Sequence, residues 1–208
     1  MSLPGDWRAR VEQYVRPLYT ELDGVETFSR VERLEERVAD LAVGAAHDPR
    51  RLELLILFHG VVDRLGSLAN GGRWQLFLRG LGLAPAEIAA LRAGLERYAG
   101  KPRTLEEELL HDAVMLERCG IEAALDRLLA AGRRRIPLDR ALAQLDPGPE
   151  PERFRLAAGR RLAAQRYAAA ERWIAGLRVD LERERGGEGR TPSDPAGNRA
   201  DPPGPELG

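Results

Sequence analysis

Apolar residues recur along most of this chain at steps of three and four, the spacing that puts side chains on one face of a helix. Val11, Tyr14, Val15 and Leu18 share a face after Asp6, and Val31, Leu34, Val38, Leu41 and Ala45 share another, with charged residues set between them. Asp48-Pro49 supplies an N-cap and a proline at the first helical position, predicting a helix over 50–65 that is apolar nearly all round beyond Leu54. Such a helix belongs in the middle of the fold. Residues 66–72, with Asn70-Gly71-Gly72, predict a loop, and Trp74, Phe77, Leu78 and Leu81 a short helix ended by Gly82. Ala84-Pro85 opens the next, carried by Ile88, Leu91 and Leu95. Thr104-Leu105-Glu106-Glu107 reads as a capping box before a helix through Leu109, Ala113 and Leu116 to Gly120. Further helices are expected over 121–131 and 138–145, and a long final one is expected to carry Phe154, Leu162, Tyr167, Trp173, Ile174, Leu177 and Leu181.

No segment shows the alternation bounded by turn residues that marks a strand, so the expected fold is all-α, a single helical domain over 1–185. From 186 to 208 the chain is Gly, Pro, Asp, Glu and Arg with almost nothing apolar. Such a stretch cannot bury enough surface to offset its ordering entropy and is expected to be a disordered tail.

Composition narrows the function classes. Across 208 residues, 32 basic against 33 acidic side chains leave a formal net charge of -1, which exerts no overall pull on nucleic acid or anionic lipid. No nucleic-acid or membrane role is expected. Cys119 is the single cysteine, excluding an intrachain disulfide and a cysteine-based zinc site. The first ten residues carry Asp6, Arg8 and Arg10 without an apolar core, and no apolar run reaches membrane-spanning length. The expected location is cytoplasmic.

The run Leu52-Glu53-Leu54-Leu55-Ile56-Leu57-Phe58-His59-Gly60 is the most informative stretch. A histidine and a carboxylate side by side at the end of such a helix can hold a divalent cation and its activated water, whereas histidine beside glycine offers one ligand. It stands second among four stretches. Phe28-Ser29-Arg30-Val31-Glu32-Arg33 precedes it. Leu95-Glu96-Arg97-Tyr98-Ala99-Gly100-Lys101-Pro102 follows, leading into Thr104 to Glu117 with its Asp112-Ala113-Val114-Met115-Leu116-Glu117. The last is Ala158-Gly159-Arg160-Arg161-Leu162-Ala163-Ala164-Gln165-Arg166-Tyr167. In this order, over roughly residues 25 to 183, they resemble the HD-domain superfamily of metal-dependent phosphohydrolases, helical proteins that bind a divalent cation through a histidine, a His-Asp pair and a later aspartate.

The resemblance implies a metal site that this chain largely lacks. Arg30 stands where the first histidine is expected, Gly60 where the aspartate of the pair is, and Tyr98 where some members place another histidine. Asp112 matches the first aspartate of the family's Asp-Ala-Asp, and Val114 replaces the second. A guanidinium stays charged in proteins and would repel a cation. No cofactor is therefore expected. Arg30, His59, Tyr98 and Asp112 are expected to line the old pocket, where Arg and Tyr suit a phosphate-containing ligand; a protein partner is the other occupant considered. The plainer readings are a core histidine at 59 and an Arg30 paired with Glu26 or Glu32. The alternative is an active metal-dependent phosphohydrolase with a rearranged divalent site of His59, Asp63, His111 and Asp112. A third reading is a helical interaction protein whose resemblance reflects only the shared pattern of apolar helices.

Overall fold

The structure, a computed structural model, describes residues 5–20, 28–61 and 71–187. Among these the regular elements are all helical. They are α1 (Trp7–Thr20), α2 (Ser29–Leu41), α3 (Pro49–Phe58) with a 3-10 turn (His59–Val61), α4 (Gly71–Gly80), α5 (Pro85–Arg97), α6 (Leu105–Glu117), α7 (Ile121–Arg133), α8 (Leu138–Ala143), a second 3-10 turn (Pro151–Arg153) and α9 (Ala157–Gly187). Asp48 caps α3 by accepting from Arg51 N–H at 3.1 Å, with Pro49 in the first turn, as the sequence predicts.

The helix α3 packs against α1, α2, α5 and α6. Its partner at the centre is α6, which is buried on nearly every side: Leu109, Leu110, His111, Asp112, Ala113, Val114 and Leu116 are all inside. The periodicity had marked only one apolar face for this helix. What allows the wider burial is that its polar residues are satisfied locally. Glu107 is fully buried. Its carboxylate accepts from Arg97 Nη2 at 2.7 Å, Arg51 Nη2 at 3.3 Å and the Arg103 backbone N–H at 2.8 Å, tying α3, α5 and α6 together. Half of the expected capping box is therefore present. The Thr104 hydroxyl accepts from Glu107 N–H, but the Glu107 side chain bonds the preceding residue's N–H and two arginines rather than that of Thr104.

Four expectations are corrected. The helix from residue 50 does not continue regularly to 65. It tightens to 3-10 at His59, and residues 62–70, which include Asp63 and the first five positions of the expected loop, lie outside the described residues. Gly71 and Gly72 open α4 rather than closing a loop. Ala45 falls beyond the end of α2, after Gly44 at φ +75°. Phe154 is buried before α9, not on it.

A smaller second core, Ala124, Leu142, Leu145 and Ile174, joins α7, α8 and α9. Arg178 of α9 donates to the carbonyls of Leu142 and Leu145 and closes the end of α8. No described helix is long and apolar enough to cross a membrane.

Candidate functional site

The last turn of α3 carries His59 inward, 3% exposed. Its Nδ1 donates to the Ile56 carbonyl at 2.6 Å, which fixes the tautomer and leaves Nε2 as a lone-pair acceptor. That Nε2 is buried and has no hydrogen-bond partner. Burial pushes the imidazole pKa down to about 4, against its bond to Ile56, and the nearby positive charge of Arg30 pushes the same way. The ring is neutral at physiological pH.

Gly60 and Tyr19 explain why the helix tightens here. The Tyr19 hydroxyl accepts from Gly60 N–H at 3.1 Å and donates to the Leu57 carbonyl at 3.2 Å, while the Ile56 carbonyl accepts from His59. Side chains thus engage backbone groups that a continuing α-helix would pair along its own ladder. A Cβ at residue 60 would lie 2.6 Å from Tyr19 Cε1 and 2.9 Å from its hydroxyl. The tyrosine ring therefore fills the space into which an aspartate at 60 would have to project. Tyr19 itself is 1% exposed. Sequence reasoning passed over it, although Val11, Val15 and Tyr19 are spaced four apart on one face.

Arg30 does come near His59, but its Nε donates to Glu117 at 2.9 Å, and Arg33 bonds the other oxygen of the same carboxylate at 3.3 Å. The bond to Glu117 joins α2 to the end of α6; of the two expected partners, Glu26 lies outside the described residues. Tyr98 presents its ring edge-on to His59, centroids 6.5 Å apart, and its carbonyl accepts from His111 Nδ1 at 2.9 Å. His111 Nε2 is, like that of His59, buried without a partner.

Asp112 does different work. Its two carboxylate oxygens accept from the backbone N–H groups of Arg155 and Leu156, each at 2.8 Å, immediately before α9. It caps α9 from another helix. Desolvation raises its pKa, with the two backbone bonds opposing that shift. Gly159 is required beside it, since a Cβ there would collide with Asp112 Oδ2.

The described residues do not fit a divalent ion. His59 offers one correctly oriented nitrogen, Gly60 offers nothing, Asp112 has both oxygens engaged, and Arg30 places a fixed positive charge close by. No group of three or more His, Cys, Asp or Glu side chains among the described residues could hold a metal. Asp63, the remaining member of the alternative ligand set, lies outside them.

Comparison with solved structures places the fold. The Lin1889 protein of Listeria innocua superposes with a TM-score of 0.67 at 13% identity, covering 84% of this chain and 95% of that one. An HD-superfamily hydrolase of Bacillus thuringiensis gives 0.66 at 15% identity, covering 85% and 97%. The chain has the HD-domain fold. Bacillus subtilis YpgQ, solved in complex with ADP, gives 0.63 at 14% identity, covering 83% and 94%. No protein-family model and no curated protein matches the sequence. The reading of the four stretches as mere helical patterning is set aside by the shared fold.

Proposed function

We propose that this chain is a catalytically silent HD-fold protein that has kept the scaffold as a binding module for a phosphate-containing small ligand. The observation that carries the reading is Tyr19: its ring fills the side-chain space of residue 60 and its hydroxyl bonds the backbone on either side of His59. Restoring the missing aspartate would require expelling a buried aromatic ring. Charge supports the same conclusion, because the positive charge of Arg30 acts on His59 and would oppose a cation bound there. That the neighbour YpgQ was solved in complex with ADP supports a phosphate-containing ligand. A protein partner is the second occupant of such a module.

The test is hydrolysis of ADP and of a chromogenic phosphomonoester with added Mn²⁺, using protein purified without chelator. The proposal expects no metal-dependent turnover. Turnover that is lost in His59→Ala would overturn it.

One observation favours a second reading, an active metal-dependent phosphohydrolase using His59, Asp63, His111 and Asp112. Two imidazoles, His59 at the end of α3 and His111 on α6, each keep a buried, unpartnered Nε2, and such nitrogens are what a divalent cation binds. That reading requires Asp112 to release its bonds to Arg155 and Leu156. It predicts that Asp63→Ala abolishes a metal-dependent activity.

A further inference from the structure

We propose that the cavity between α2, the start of α7 and α9 is a phosphate-binding site, in which Arg37 and Arg166 hold a dianionic phosphate group against the first turn of α7. The site is separate from the His59 turn and does not depend on whether the chain hydrolyses anything.

The cavity measures about 270 Å³ and is lined by Arg37, Cys119, Gly120, Ile121, Glu122 and Arg166 among others. Arg166 is half-buried, and its one hydrogen bond is a long one, 3.5 Å to the Leu116 carbonyl. It forms no ion pair among the described residues. Burial, and then the charge of Arg37, push its guanidinium below the ordinary value. The charges of Glu122 and Asp40 oppose that shift, so the carboxylate of Glu122, which also lines the cavity, is the anion a bound phosphate would displace. Arg37 is 19% exposed, and its Nε is buried without a partner. Its ion pair is with Glu122, 83% exposed, at 3.2 Å.

The floor of the cavity suits an anion as well. Gly120 is the N-cap of the 13-residue α7 and gives its N–H groups no side-chain cap. A serine or aspartate at that position would ordinarily occupy the place where an external anion binds. Glycine is required for two reasons: φ is +103°, and a Cβ would press on Arg166 Cβ at 3.2 Å. The adjoining groove shares Arg37 and Glu122 and adds Arg30, Arg33 and Arg118, facing Glu117 and Asp126. Two guanidinium forks and a helix N-terminus match the charge and geometry of a phosphate dianion. The volume leaves room for a small organic group on one phosphate oxygen.

Calorimetric titration of the full chain with inorganic phosphate and with phenyl phosphate at fixed ionic strength tests the site. Binding of both that is weakened by the arginine variants assigns the cavity to the free ion as well as to its esters, and such binding of phenyl phosphate alone assigns it to a monoester. Binding of neither overturns the proposal. Arg166→Gln is expected to weaken binding roughly 10-fold, the loss of one charge-assisted contact. Unchanged affinity in Arg37→Gln/Arg166→Gln also overturns it.

Discussion

Glu107 and His59 are both polar side chains sealed inside the same helical bundle, and their surroundings are opposite. The carboxylate of Glu107 accepts from two arginines and a backbone N–H, joining three helices. The imidazole of His59 makes one bond to its own helix and leaves its other nitrogen buried without a partner. A buried polar group is tolerated when its hydrogen bonds are complete and is costly when they are not. Glu107 ties the architecture together; His59 holds a single tautomer whose second nitrogen is buried without a partner.

The contrast can be broken first at Glu107. Glu107→Ala leaves Arg51 and Arg97 facing an empty core position and is expected to lower unfolding free energy by roughly 3–5 kcal/mol in denaturant titrations. A loss below about 1 kcal/mol would show that the cluster is not structural.

The second effect is pH-dependent and belongs to His59. Desolvation lowers its folded-state pKa from 6.5 to about 4. The folded state therefore binds fewer protons than the unfolded chain between those values. The corresponding stability is fully present above about pH 6.5 and is lost as pH falls towards 4, amounting to roughly 3 kcal/mol across the window. His59→Leu should flatten that acid limb relative to the parent while changing stability near pH 8 little, because it also removes an unsatisfied buried nitrogen. Parallel pH–stability curves for the two proteins would refute the burial of a neutral ring.

Gly60 comes next. Gly60→Ala drives a methyl group against the Tyr19 ring and is expected to cost about 1–3 kcal/mol. A Tyr19→Leu background should recover part of that loss, and a double-mutant cycle reads the coupling directly. Additive effects would mean that the ring does not fill the site of the missing aspartate. The smallest change is Tyr19→Phe, which removes the hydroxyl between Leu57 and Gly60 and should cost about 1 kcal/mol.

The helical fold was legible because its cues are local. Asp48-Pro49, Ala84-Pro85 and Gly82 start or stop helices where the sequence puts them. The four ordered stretches also carried the HD resemblance. What the sequence hid were contacts between distant residues. Glu107 read as half of a capping box because its arginines lie 10 and 56 positions away. Asp112 read as a remnant ligand, and its role as a cap for α9 depends on residues 43 and 44 positions later. Arg30 read as an anion fork or a partner for near neighbours, and it pairs with Glu117, 87 positions on. Tyr19 had the periodicity of a core residue, but nothing in the chain announces that its ring fills the space beside Gly60. Proximity of that kind appears only once α1 is packed on α3.

The central claim, that the turn at His59 no longer holds a cation, is tested most directly by anomalous diffraction from crystals grown with excess Zn²⁺. The account predicts no anomalous peak in bonding contact with His59 Nε2. A well-occupied peak about 2.1 Å from that nitrogen, completed by other side chains of this protein, would contradict it.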